Sequence, residues 1–146
     1  MTLLDNVMVS KPGLWTDRRF DRVSPPVVVL IVDDDMAGAQ ALAAVLMIEG
    51  FQTTVVDAGQ AAFKTPLVAT PHVVILDIEM PVCDGFAVAS AMRGSSRFAN
   101  TPIIAYTSLA EAEVEARGKH AQIDAFCRKA ISIQPLLDLI EYVAPV

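Results

Sequence analysis

Four short, mostly apolar runs of the chain end in ionic or hydroxyl side chains. Val29 to Val32 leads into Asp33, Asp34 and Asp35; Val73 to Leu76 into Asp77; Ile103 to Tyr106 into Thr107 and Ser108; Ile123 to Cys127 into Arg128 and Lys129. Runs of this composition suit strands buried on both faces. Laid side by side and parallel, such strands bring their carboxyl ends to one rim, which is where open α/β sheets bind ligands. The carboxylates of Asp33, Asp34 and Asp77, brought within a few ångströms, repel one another, and at least one takes up a proton unless a cation lies between them. A hard divalent ion such as Mg2+ meets that need, because it takes oxygen ligands and commonly uses one or two carboxylates together with waters and phosphate oxygens. With the Lys129 ammonium it balances the three carboxylates and leaves the site able to draw in an anionic phosphoryl group.

The elements that must position these groups follow from Pro26 onward as five alternating β-α units, the pattern of a parallel sheet covered by helices. Strands are expected at 27–32, 51–56, 73–76, 103–106 and 123–127, and helices at 36–49, 59–68, 86–92, 111–120 and 132–143. Asp35 is placed to cap the first helix and Gly50 to end it. Pro66 is expected to shorten or kink the second helix, and Asp84-Gly85 suits a tight turn. Gln40 is the one polar side chain between Met36 and Ile48. If Leu42, Val45, Leu46 and Glu49 face the sheet, then Ala39, Ala43 and Met47 form an exposed apolar surface of the kind that marks a partner site. The competing expectation is that Leu3, Leu4, Trp15 or Phe20 of the N-terminal tail covers it.

Composition narrows the class of function. The chain has 146 residues, 53% hydrophobic and 19% charged, which suits one packed domain and not a disordered chain. Residues 1–24 contain Pro12, Gly13 and the pair Arg18-Arg19 without sustained periodicity. They are expected to form a flexible or partner-binding tail, followed by one domain over 25–146 with no room for an effector domain. A net charge of −6 argues against direct contact with nucleic acid. The longest apolar runs have eight residues, too few for a membrane span. The N-terminus lacks the basic start of a secretory signal, so a cytoplasmic location is expected. Cys83 and Cys127 lack neighbours at metal-binding spacing, and packing is expected for both. His72 and His120 are expected at surface or strand-edge positions.

Four segments together resemble the response-regulator receiver family of two-component signalling. They are Val29-Leu-Ile-Val-Asp-Asp-Asp35; Val74-Ile-Leu-Asp-Ile-Glu-Met-Pro81 with Asp84-Gly85; Pro102-Ile-Ile-Ala-Tyr-Thr-Ser108; and Asp124-Ala-Phe-Cys-Arg-Lys129. Their order and spacing fit over about residues 26–145. The resemblance implies a flavodoxin-like, doubly wound (βα)5 fold with a parallel five-stranded sheet in the order 2-1-3-4-5. It implies Asp77 as phosphoacceptor, Asp33 and Asp34 as the acidic pair that binds Mg2+ (or Mn2+) with Asp77, and the Glu79 backbone carbonyl as a further metal ligand. Thr107 matches the hydroxyl that moves to the phosphoryl group, Lys129 the lysine that pairs with it, and Phe126 the aromatic whose rotamer follows the switch. A sensor histidine kinase or histidine phosphotransfer protein is the implied donor, docking near the first helix. A downstream protein is the implied target, contacted through the fourth helix, fifth strand and last helix by a monomer or weak homodimer. Autophosphorylation and autodephosphorylation are expected, not enzymatic turnover.

Two departures stand out. Ala130 follows the lysine where the family usually has proline, and a cis bond is not expected there, since for a non-proline residue it costs about 3 kcal/mol. Glu79 sets a carboxylate beside the acceptor and is expected to alter phosphoryl lifetime. Two other functions compete. A haloacid-dehalogenase-type phosphatase also uses a strand-end Asp with Mg2+, but requires a second Asp two residues after the nucleophile, where this chain has Glu79. A receiver-like module that is never phosphorylated would have little use for an intact acidic pair, acceptor, hydroxyl and lysine.

Overall fold

The computed structural model describes residues 12–64, 70–81 and 84–146. Alternation of apolar runs and helices yields β1 (Val28–Val32), α1 (Met36–Ile48), β2 (Gln52–Val56), α2 (Gly59–Lys64), β3 (Val73–Leu76), α3 (Gly85–Arg93), β4 (Ile103–Thr107), α4 (Glu111–His120), β5 (Ala125–Arg128) and α5 (Gln134–Val143). The strands form one parallel sheet in the order β2-β1-β3-β4-β5, the flavodoxin-like arrangement expected.

Both faces of the sheet are covered. In β1, Leu30 and Val32 pack on one side with Ala62, Met92 and Val114 from α2, α3 and α4. Val29 and Ile31 pack on the other side with Ala39, Leu46, Leu136 and Ile140 from α1 and α5. Period-two alternation thus feeds two cores from one unbroken apolar run. The register aligns the strand ends: Val32 pairs with Leu76, so Asp33 and Asp77 leave adjacent strands side by side.

Most expected boundaries fall within two residues of the observed ones. α5 starts at Gln134, after Ser132, whose hydroxyl accepts from the Gln134 N–H at 3.3 Å. The end expected for the second helix, including Pro66, lies outside the described residues, as does Cys83. Asp35 caps α1, its side chain accepting from the Gly38 N–H at 3.2 Å. Asp84 caps α3 by accepting from Phe86 N–H at 2.9 Å, and a Cβ at Gly85 would run into the backbone of Asp77 and Ile78. His72 clamps the start of β3, its Nδ1 accepting from the Val28 N–H at 2.9 Å.

The orientation of α1 departs from expectation. Ala39 and Ala43, 1% and 5% exposed, join Leu46 in facing the sheet, while Val45, Met47 and Ile48 point outward. Small residues at the contact let the helix lie close to the sheet, and Met36, Val45, Met47 and Ile48 are left outside. The docking surface expected at Ala39 and Ala43 is therefore buried, and of that set only Met47 is exposed. The N-terminal tail does not cover α1 through Trp15 or Phe20; Trp15 stacks on Phe126 and Phe20 meets Tyr142 edge-on. Residues 1–11 of the expected tail, including Leu3 and Leu4, lie outside the described residues.

Candidate functional site

Asp33, the residue after β1, is 6% exposed and held from three sides. Its N–H donates to the Val56 carbonyl at 3.1 Å. Oδ1 accepts the Asp35 N–H at 2.9 Å, and Oδ2 accepts from Lys129 Nζ at 3.0 Å. Asp77, the residue after β3, is 5% exposed. Its N–H extends the sheet to the Val32 carbonyl at 2.9 Å, and its Oδ1 accepts the Glu79 N–H at 3.0 Å. Lys129 Nζ lies 3.8 Å from Asp77 Oδ2. The lysine is positioned by its own backbone, whose N–H donates to the Thr107 carbonyl at 2.7 Å and prolongs the pairing of β4 with β5. The trans Lys129–Ala130 peptide leaves this reach intact; among the described residues the cis peptide is Pro25–Pro26.

Burial pushes the Asp77 carboxyl up, and the neighbouring Asp33 charge adds to it; the Glu79 N–H and Lys129 pull the other way, and the result is about 6. Burial pulls the Lys129 ammonium down, but the hydrogen bond to Asp33 and the charges of Asp77, Asp33 and Asp35 outweigh it and hold the lysine above its ordinary range. Asp77 is thus a basic carboxylate fixed beside a firmly charged cation.

Three carboxylate oxygens, one each from Asp33, Asp34 and Asp77, lie within 4.8 Å of one another, with Asp34 exposed to solvent. A set of hard oxygen donors without Cys or His fits Mg2+ or Mn2+. Glu79 meets Asp77 through its amide, and its side chain turns to β4. Thr107 Oγ donates to Glu79 Oε1 at 3.2 Å and Ser108 Oγ to the same oxygen at 2.8 Å. Thr107, fully buried, also accepts the Leu109 N–H at 3.2 Å.

Among the expected site residues, Asp33, Asp34, Asp77, Glu79, Thr107 and Lys129 come together on the rim. Phe126 stands apart on β5, 8% exposed, in the core on the α4 side. Ala39, Ala43 and Met47 on α1 take no part in the cluster. The Glu79 carboxylate as acceptor for two hydroxyls was not foreseen from sequence, nor was the Asp124 hub, which accepts from Arg18, Arg93 and the Ile103 N–H. Spacing gives no signal for either, because Glu79 to Thr107 and Arg18 to Asp124 are distant in sequence. Cys127 is buried, and its thiol is pushed up to about 11, as expected of a packed cysteine.

Residues 29–141 match the family model of the response regulator receiver domain. The chain is 29% identical over 112 residues to the response regulator MprA of Mycolicibacterium vanbaalenii, covering 77% of this chain and 48% of that protein. It is 28% identical over 109 residues to the transcriptional regulatory protein PrrA of Mycobacterium tuberculosis, covering 75% of this chain and 46% of that protein. The chain therefore spans about half the length of these relatives. Among solved structures, the chemotaxis protein CheY4 of Vibrio cholerae aligns with a TM-score of 0.74 at 28% identity, over 80% of this chain and 98% of that one. The response regulator TrrA of Thermotoga maritima, solved in complex with Mg(2+)-BeF, aligns with a TM-score of 0.70 at 26% identity, over 80% and 98%.

Proposed function

The chain belongs to the response-regulator receiver family, and on that premise we propose that Asp77 accepts a phosphoryl group from a histidine kinase or phosphotransfer protein and that the α4–β5–α5 face signals the change to a protein target. The observation that carries the proposal is the buried pair Asp33–Asp77 with Lys129 Nζ at 3.0 and 3.8 Å. An Asp77 oxygen forms the new bond to phosphorus as the bond from phosphorus to the donor nitrogen breaks, and the nitrogen leaves with the bonding electrons. Lys129 is placed to pair with the transferred oxygens, and positioning with charge neutralisation supplies most of such catalysis. A divalent cation held by Asp33, Asp34, Asp77 and the Glu79 carbonyl, Mg2+ or in its place Mn2+, supplies further neutralisation of those oxygens.

Thr107 must release Glu79 to donate to the phosphoryl group. The space it leaves draws Phe126 inward, and the α4–β5–α5 face changes shape. Val45, Met47 and Ile48, exposed on α1, offer the donor's helices an apolar surface. No helix among the described residues is long and apolar enough to cross a membrane.

Incubation with Mg2+ and a small phosphodonor tests the proposal by intact mass. Wild type is expected to gain one phosphoryl group and Asp77→Asn none. Equal labelling of both would remove Asp77 as the acceptor, and steady release of phosphate from an unrelated ester would favour a phosphatase.

A further inference from the structure

The outer edge of a terminal strand presents unpaired backbone groups, which proteins cover or blunt. At β5 the cover comes from the chain's own N-terminal segment. Leu14 bridges Ala125 in the antiparallel sense. The Phe126 N–H donates to the Gly13 carbonyl and the Trp15 N–H to the Asp124 carbonyl, each at 2.7 Å. The Trp15 ring stacks on Phe126 with centroids 5.5 Å apart and planes at 21°. Its indole N–H donates to Glu111 of α4 at 2.8 Å. Beyond it, Arg18 clasps buried Asp124 at 2.7 and 3.2 Å, and Phe20 meets Tyr142 of α5 edge-on at 6.3 Å. Two glycines fit this arrangement. Gly13 adopts φ +82°, and a Cβ there would strike the Phe126 carbonyl oxygen; a Cβ at Gly118 on α4 would enter the Trp15 ring.

We propose that Gly13–Phe20 is a built-in occupant of the α4–β5–α5 face, docked while Asp77 is unmodified and displaced on phosphorylation, so that a downstream protein gains β5 only when the segment leaves. This rests on the phosphoacceptor function proposed above. The segment touches all three elements of the signalling face, and its principal ring contact is Phe126 of β5, three residues before Lys129. An inward turn of Phe126 removes the surface on which Trp15 stacks. The segment makes one isolated bridge to the sheet, and Trp15, Arg18 and Phe20 remain partly exposed. Elements held in this way open more readily than core strands.

Trp15 is the sole tryptophan of the chain, so acrylamide quenching of its fluorescence in the 146-residue chain reads docking directly. With Mg2+ and a small phosphodonor, and labelling followed by intact mass, the quenching constant is expected to rise at least twofold as the phosphoryl group is gained. Gly13→Val, which disturbs the segment and not the core, is expected to raise quenching at least twofold without phosphodonor. Arg18→Ala, which leaves Asp124 its Arg93 partner, is expected to raise it in the same direction. A mass gain with unchanged quenching overturns this inference and leaves the phosphoacceptor function standing. No mass gain overturns both. Wild-type quenching in both unmodified variants shows that these contacts do not hold Trp15 and overturns the inference.

Discussion

Asp77 is both buried and the group on which the proposed transfer depends, and this combination has consequences for stability. Burial, the largest influence, holds its carboxyl at about 6, above the ordinary 3.8, so folding favours the protonated form. The favourable contribution is complete below the ordinary value and is lost as pH rises through 6. Asp77→Asn stays neutral at every pH. In the presence of a chelator, its stability relative to wild type is expected to improve between pH 4 and pH 7.5 by on the order of 2 kcal/mol, measured by urea denaturation at each pH. A constant difference would show that burial does not raise this carboxyl. Protonation would also remove charge from the proposed cation site, so Mg2+ is expected to bind about tenfold more weakly at pH 5 than at pH 7.5 in a calorimetric titration. Glu79 makes a separate prediction. Its carboxylate occupies the Thr107 hydroxyl, and under the proposed transfer it would stand beside the phosphoryl group, so Glu79→Ala should slow loss of that group about fivefold, the equivalent of roughly 1 kcal/mol for one freed hydrogen bond. An unchanged hydrolysis rate by phosphate release would remove this role.

Among the elements, α1 shows how small residues choose a face. Its apolar residues run almost all round the helix, so hydrophobic pattern does not single out one side, and close approach to the sheet selects Ala39 and Ala43 for burial. Ala43→Arg should lower stability by roughly 3 kcal/mol, because it overpacks a core site and buries a charge. Met47→Lys should leave stability within about 0.5 kcal/mol and leave labelling by a small phosphodonor unchanged, while slowing transfer from a helical-bundle donor. Denaturation midpoints and transfer rates measured side by side check both; equal transfer rates for Met47→Lys and wild type would remove the docking role. α4 is fixed by local chemistry: Glu113 reaches back to the Ala110 N–H at 3.1 Å, and Arg117 and Lys119 lie in its last turn.

In the molecule as a whole, Asp124 joins segments remote in sequence. It is 2% exposed and accepts from Arg18, from Arg93 of α3 and from the first amide of β4. Asp124→Ala would leave the Arg93 guanidinium, 10% exposed, without its carboxylate partner and should lower stability by about 3–5 kcal/mol. Arg18→Ala, removing a half-exposed partner, should cost far less. Thermal denaturation of both variants separates the two contributions, and equal losses would contradict the assignment of Asp124 as the hub.

The five β-α units and the strand-end chemistry were legible in the linear chain because local periodicity and the polar residue after each apolar run are properties of short segments. Asp33, Asp77, Thr107 and Lys129 could be placed on one rim from parallel strands alone, and the four family-like segments fixed strand order. Tertiary packing decided the rest. The face of α1 depended on how closely its backbone approaches the sheet. The Glu79 contacts depended on a side chain crossing from the β3 loop to β4, and the place of Trp15 on two glycines and a strand edge far along the chain. Interactions between distant segments leave no periodic mark, since their energy comes from surfaces that exist only once the sheet has formed.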